Sequence, residues 1–459
     1  MSVPIAPERV LPTLNADGTR NRIRPRPYDG RLLRARRWVA WALMALFVSL
    51  PLLRIHGKPA MLLDVVHRQF VLFGHTYLPT DGVLLMLLML GIFVSIVLIT
   101  ALVGRAWCGW ACPQTVYMEF LFRPLERLFE GPREAQLRID KNGVNGRRIA
   151  KNAVYLLLAF LLANVFLSYF VGTDTLRHWM LEAPSQHVGG FGVVLVTTGL
   201  VFFDFAYFRE QMCTVICPYA RIQSVLLDPK SLVIGYDARR GEPRSHGKAK
   251  TAGHGDCIDC QACVTTCPTG IDIRQGLQLE CIACGQCADA CDSIMDRIKK
   301  PRGLIRYSSQ AALESGKPGG MLRPRVLIYA VLLLGLALSL VLVAGGRPTA
   351  EVTVLRGLGA PFTEAGPEVI NQLRLKVGNR SKKARSFSVT LVDFPSARLV
   401  APELPLTVKA GEQAATSFFV VVPRAELHGS RRIRLRVGDG EIFELVPYTL
   451  LGPEGDVAR

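Results

Sequence analysis

Eight of the chain's twelve cysteines fall in two runs of identical spacing. The runs are Cys257-x-x-Cys260-x-x-Cys263-x-x-x-Cys267-Pro268 and Cys281-x-x-Cys284-x-x-Cys287-x-x-x-Cys291. Three thiolates at two-residue gaps wrap one iron–sulfur cube, and in paired runs of this kind the fourth ligates the neighbouring cube. Cys257, Cys260, Cys263 and Cys291 are thus expected to hold one [4Fe–4S] cluster, and Cys281, Cys284, Cys287 and Cys267 the second. Structural zinc also uses paired C-x-x-C motifs, but a zinc ion takes four ligands, and here eight recur with unbroken spacing. There is no C-x-x-C-H, so covalent haem is not indicated.

The other four cysteines form a second, different repeat: Cys108-x-x-x-Cys112-Pro113 and Cys213-x-x-x-Cys217-Pro218. Proline disfavours the helical conformation in the residue before it and fits the first helical position. Cys112 and Cys217 are therefore expected to cap helices, with Pro113 and Pro218 opening them. A thiol at a helix start beside Arg105 or Arg209 would have a stabilised thiolate, and four soft thiolates suit Cu(I). Buried structural thiols or a reversible disulfide are the alternatives. After Pro113 the chain is amphipathic, with Val116, Phe120, Leu121, Leu125 and Leu128 opposed by Glu119, Arg123, Glu126 and Arg127, as in a helix lying along a membrane interface.

These groups need elements that hold them at one surface. The chain is half hydrophobic yet carries a net charge of +18. Its basic residues are segregated by loop rather than gathered in one stripe, which argues for membrane spans with basic flanks and against nucleic acid as a partner. Five apolar stretches, 38–53, 83–103, 152–171, 189–208 and 326–345, approach the roughly 17–25 residues of a bilayer span. Lys plus Arg number nine in residues 1–37, three in 54–82, nine in 104–151, one in 172–188 and seventeen in 209–325. The positive-inside rule then places the N-terminus, the 104–151 loop and the cluster segment in the cytoplasm, and an odd number of spans puts the C-terminal part outside. All the cysteines lie in segments so assigned to the cytoplasm, where thiols stay reduced. The first span lacks a cleavage site and reads as a retained anchor.

The expected organisation is a multi-domain membrane protein. A basic cytoplasmic tail (1–37) precedes a membrane region (38–227) within an α-helical bundle of about five transmembrane helices. A linker (228–256) leads to a cytoplasmic two-cluster ferredoxin-like α+β domain (257–300), a basic linker (301–325) and the fifth helix (326–345). From 349 to 453, seven short β-rich runs separated by turn signals predict a C-terminal immunoglobulin-like β-sandwich. The tail reads as disordered and lipid-touching. His56, His67 and His75 offer a weak metal motif in the first outer loop. Asp204, within a span, is either functional or the partner of Arg209. No span contains a histidine, which disfavours haem b in the bundle.

Several separated motifs together resemble the CcoG/FixG/RdxA family of cytochrome c oxidase accessory proteins of bacterial inner membranes. They are Gly104-Arg105-x-Trp107-Cys108-Gly-x-x-Cys112-Pro113-Gln114-Thr115, Cys217-Pro218-Tyr219-Ala220-Arg221, Tyr236-Asp237-x-x-Arg240-Gly241-Glu242-Pro243-Arg244 and Gly303-Leu304-Ile305-Arg306-Tyr307. The resemblance covers nearly the whole chain, including the sandwich after the last span, which would then be periplasmic. It implies a membrane iron–sulfur oxidoreductase that reduces Cu(II) to Cu(I) for assembly of the cbb(3)-type oxidase. Cys108, Cys112, Cys213 and Cys217 become the copper or redox thiols. The partners implied are the lipid bilayer, oxidase subunits or copper-delivery proteins, and an unidentified electron donor. An electron-transfer subunit of a quinone-linked reductase, or a non-enzymatic assembly scaffold, remain the alternatives.

Overall fold

The computed structural model describes residues 9–15, 17, 19–55, 57–65, 69–77, 82–143, 145–245, 254–316, 323–346, 348–381, 383–409, 411–440 and 443–453. The chain divides into two compact units, Met1–Val341 and Leu342–Arg459. His56 and His67 lie outside the described residues.

In the first unit, α1 (Arg31–Ser49) and α2 (Gly82–Val103) are joined by short antiparallel strands. Four short helices follow: α3 (Ala106–Trp110), α4 (Pro113–Tyr117), α5 (Arg123–Glu130) and α6 (Arg133–Asn142). Then come the long α7 (Gly146–Val171), α8 (Thr173–Leu181), α9 (Val188–Phe203) and α10 (Pro218–Leu226). Among the described residues, four helical segments are long and apolar enough to cross a membrane: Gly82–Val103, Gly146–Val171, Val188–Phe208 and Pro324–Gly345.

The expected first span, 38–53, does not meet that measure. It is the end of α1, whose start carries Arg31, Arg34, Arg36 and Arg37. The apolar part, Trp38 to Ser49, is about 18 Å long at the usual helical rise, against a hydrocarbon core of about 30 Å. α1 still runs beside α7. The Tyr169 hydroxyl, near the end of α7, donates to the Phe47 carbonyl at 2.6 Å, and the two rings stack.

The basic tail is also not free. Arg24 is buried and pairs with Glu126, and with Asp140 at 2.9 Å. Arg209 joins Glu126 at 2.9 Å, Lys151 joins Glu130 at 2.9 Å, and Arg148 bridges Glu130 and Asp140. Residues far apart in sequence thus share one buried charge network, which fixes the tail against α5, α6 and α7. Segments of the two expected linkers also pack onto the cluster domain. Leu232–Tyr236 pairs antiparallel with Ile305–Ser309, and Ile234, Leu304 and Ile305 pack into the core around the cluster cysteines. This ribbon adds to the apolar shell that Ile271, Ile273 and Met295 of the 257–300 segment build around the cysteines.

The second unit is a β-sandwich. One sheet runs Ala350–Arg356, Glu368–Asn379, Gln413–Pro423, Arg398–Val400, with Thr363–Ala365 added to the second strand. The other runs Leu406–Val408, Arg385–Leu391, Ser430–Gly438, Phe443–Leu451. Alternate residues face inward, so Leu373, Leu375 and Val377 of one sheet share a core with Phe387, Ile433 and Leu435 of the other. All seven expected runs are strands. Thr363–Ala365 and Arg398–Val400 were too short and polar to stand out.

Candidate functional site: two cysteine cavities and a four-thiol cluster

Cys257, Cys260, Cys263 and Cys291 line one small cavity. Cys267, Cys281, Cys284 and Cys287 line another, together with Cys263. Cys291 thus lies with the first run's cysteines, and Cys267 with the second's. The two loops have the same backbone. Asp259 and Gln261 flank Cys260 with positive φ of 51° and 60°, and Ala283 and Gly285 flank Cys284 with 51° and 77°. Such alternation curls successive N–H groups into a concave, anion-binding nest.

The donors fit iron–sulfur clusters. Burial pushes the Cys263 and Cys291 thiols up to about 12, so four thiolates in such a place need a cationic core. Burial likewise raises Cys284 to about 11, and the Arg36 charge is the largest influence opposing it. Arg36 is fully buried, and its Nη1 and Nη2 find no partner among the described residues. Its Nε donates to the Gly109 carbonyl at 2.8 Å, and its guanidinium lies over Phe120. A buried cation with two unused donors beside Cys284 suits a thiolate-ligated cluster of net negative charge. Sequence reading missed this arginine because it looked like one of many in a basic tail. Arg36→Met is expected to lower the midpoint potential of the cluster at Cys284, because losing a cation disfavours the more negative reduced state. The shift should be on the order of 50–100 mV for a unit charge several ångströms away at an effective dielectric near 20, read in an EPR-monitored redox titration.

The four remaining thiols gather where the membrane helices meet this domain. Cys112 and Cys217 cap α4 and α10 in extended conformations, with Pro113 and Pro218 opening the helices. Cys213 lies in a π-helical turn, Met212–Ile216. Burial, then the neighbouring Cys112, Cys108 and Cys217, pushes the Cys213 thiol up to about 12. The expected thiolate stabilisation is not found. Burial raises Cys108 despite the opposing Arg105 charge, and Arg209 is engaged by Glu126 and Glu210. Asp204 does not pair with the Arg209 side chain; it accepts from Gln114 Nε2 at 3.1 Å.

This thiol group presses on the second cavity. Cys108 packs with Ile282, Cys284 and Tyr219, and its Sγ lies 3.1 Å from Gln223 Oε1. Gly109 approaches so closely that a Cβ there would fall 2.5 Å from the Ile282 carbonyl oxygen and 2.8 Å from Cys284 Cα. Trp110 Nε1 donates to Tyr307 Oη at 2.9 Å, which donates to the Ala283 carbonyl at 2.6 Å. A small cavity, lined by Thr115, Arg123, Glu210, Cys213, Thr269 and Ile282 among others, lies between the thiols and the cluster loops. The arrangement can carry electrons from a buried cluster to a soft-metal or redox centre at the membrane surface.

Family models match three stretches of the chain. Residues 208–310 match a 4Fe-4S dicluster domain, residues 85–132 a 4Fe-4S binding domain, and residues 340–453 the Ig-like fold at the C-terminus of FixG. The chain is 35% identical to protein RdxA of Cereibacter sphaeroides, over 81% of this chain and 82% of that protein. It is 33% identical to the nitrogen fixation protein FixG of Rhizobium meliloti, over 83% of this chain and 81% of that protein. Protein RdxB of Cereibacter sphaeroides is 31% identical, over 86% and 88% respectively. The matches and the twelve cysteines support iron–sulfur clusters in an electron-transfer protein with membrane helices.

Proposed function

Since the chain belongs to the FixG/RdxA family, we propose that it is a one-electron reductase of the bacterial inner membrane that converts Cu(II) to Cu(I) for assembly of a cbb(3)-type oxidase. Cys257, Cys260, Cys263 and Cys291 would hold one [4Fe–4S] cluster, and Cys267, Cys281, Cys284 and Cys287 the other. When bound, the clusters supply single electrons, received from a cytoplasmic donor. Cys108, Cys112, Cys213 and Cys217 would take the copper ion as substrate, and their soft sulfurs favour the reduced product. The observation that carries this reading is the seating of Gly109 on the Ile282–Cys284 backbone, which puts Cys108 against a cluster cysteine.

Five crossings, with the cluster domain inside and the sandwich outside, remain the favoured topology. α1 starts at the cluster domain, where Leu32 and Leu33 donate to Asp289, and ends beside Tyr169 at the other end of α7. Its length deficit is within what flanking residues and local bilayer thinning accommodate.

The test is anaerobic mixing of reduced, desalted protein with Cu(II) and a Cu(I)-specific chelator. Cluster oxidation matched one-for-one by Cu(I) is the expected result, slowed at least about tenfold in Cys108→Ser. Reduced clusters that ignore Cu(II) would refute copper as the acceptor and leave a protein redox partner. One observation favours a second reading of the thiols: the 85–132 match is to a 4Fe-4S binding domain, and its cysteines are Cys108 and Cys112. Iron analysis separates the two. About eight irons per chain, unchanged in Cys217→Ser, supports copper; about twelve, falling to about eight in that variant, supports a third cluster.

A further inference from the structure

At the end of α9 remote from the thiols, a different set of donors meets. His178 and Leu181 belong to α8, Glu182 follows it, and His187 immediately precedes α9. His178 Nε2 lies 2.9 Å from Glu182 Oε1, and His187 Nε2 contacts the other carboxylate oxygen. One ligand atom from each residue can be chosen so that all three lie within 4.8 Å of one another. The imidazole rings sit 5.4 Å apart between centroids. The group is reachable, with side-chain exposures of 63% for His178, 29% for Glu182 and 33% for His187.

The turn that presents these residues is held by packing. Leu176 of α8 shares an apolar cluster with Leu167 of α7 and Val194 of α9, with Trp179 against it. Trp179 lies so close to α9 that a Cβ on Gly190 would fall 2.5 Å from its ring. Between the two helices, the Gln186 amide donates to the Ala183 carbonyl at 2.9 Å. Three donors on one locked turn form a preorganised set rather than a chance meeting of flexible side chains.

The geometry points to a metal site: His178, Glu182 and His187 bind one late first-row divalent ion, Cu(II) or Zn(II). Two imidazoles and one carboxylate are the ligand types such ions take, at bonds of about 2.0–2.2 Å, with a fourth position left for water. Hard ions such as Mg(II) and Ca(II) prefer all-oxygen sites. Affinity at nitrogen and oxygen donors peaks at Cu(II). α9 and its π-helical continuation, Val188 to Phe208, separate this site from Cys213 by about 30 Å of helix. It is therefore distinct from the thiol group, and the inference stands whether or not the protein reduces copper.

The experiment is an EPR titration of the full-length, detergent-solubilised protein with Cu(II), its clusters kept oxidised and diamagnetic. Copper reduced at thiols is EPR-silent, so the signal reports the imidazole site. The expected result is about one Cu(II) per chain with couplings from two nitrogens, displaced by Zn(II). In His178→Ala and His187→Ala the affinity should fall more than about tenfold, since even loss of a supporting hydrogen bond to a metal ligand costs about that much. Unchanged iron content in these variants would show that the fold persists. Glu182→Gln, which keeps the side-chain shape, should weaken binding while preserving both nitrogen couplings. A Cu(II) signal without nitrogen couplings, or one identical in the wild type and both histidine variants, would overturn the site and leave Glu182 as an ion-pair partner of the two histidines.

Discussion

Gly109→Ala is expected to slow the proposed Cu(II) reduction by more than about tenfold, and to strip one four-iron equivalent if the cluster loop is what yields. The added methyl would sit 2.5 Å from the Ile282 carbonyl oxygen, 2.8 Å from Cys284 Cα and 2.9 Å from Cys284 N. All three are backbone atoms, so no side chain can swing aside. Either α3 lifts off the loop, separating Cys108 from Cys284, or the loop moves and carries Cys284 out of position. Arg36, which donates to the Gly109 carbonyl, would shift with α3. Iron and sulfide content, with EPR of the reduced protein, distinguishes the two outcomes, and both slow the reaction. Gly91→Ala is the control, because a Cβ there meets nothing within 4 Å. Full iron content and an unchanged rate in Gly109→Ala would remove the close approach from the mechanism.

Arg209→Met is the second large effect, and it is one of stability. Arg209 is buried and donates to both carboxylate oxygens of Glu126 at 2.9 Å. Removing one partner of a buried pair leaves an uncompensated charge and costs about 3–5 kcal/mol. Arg24 and Lys151 remain beside Glu126, which puts the expectation at the lower end. Adding Glu126→Gln to Arg209→Met should recover part of the loss, in a thermal unfolding series followed by helicity.

The pH dependence has a definite sign. Burial by itself would raise Glu126, but Arg209, Arg24 and Lys151 outweigh it and hold the carboxylate well below its usual range. Burial also opposes Asp140, where hydrogen bonds and charge from Arg24, then Arg148, bring it to about 2. Both folded values lie below the unfolded ones, near 4. Their stabilisation is therefore complete above about pH 4–5 and is lost as pH falls toward about 2. In Arg209→Met the Glu126 value rises, so acid destabilisation should begin at a higher pH than in the wild type. The same acid onset in both proteins would contradict the proposed role of this pair.

The cysteine runs were legible because ligand spacing is dictated by the cube and hardly by the fold around it. The sandwich strands were legible because one face of each is buried, which imposes alternation on residues such as Val369, Leu373 and Leu375. What escaped was pairing across long sequence distances. Leu232–Tyr236 and Ile305–Ser309 look like pieces of two polar linkers until they are brought together. Arg24 looks like a tail residue until Glu126, Glu130 and Asp140 enclose it on three sides. Arg36 and Gly109 matter through what they touch, and nothing in their local sequence announces Cys284. The first apolar stretch is hard to read for a related reason: α1 gains its place from α7 and the cluster domain, so its own apolar length understates it.

Asp289 lies on the helix Gln286–Arg297, between Cys287 and Cys291. Its carboxylate accepts from the Leu33 amide at 2.7 Å and the Leu32 amide at 3.2 Å, capping α1 from another domain. Gly30 leaves room for it, since a Cβ there would fall 2.2 Å from Asp289 Cγ. The two residues that ought to clasp different clusters therefore bracket the residue that fastens α1. Losing either cluster would loosen this cap and free the Leu32 and Leu33 amides. The seating of the first long helix is thereby tied to the filling of two metal sites elsewhere in the chain.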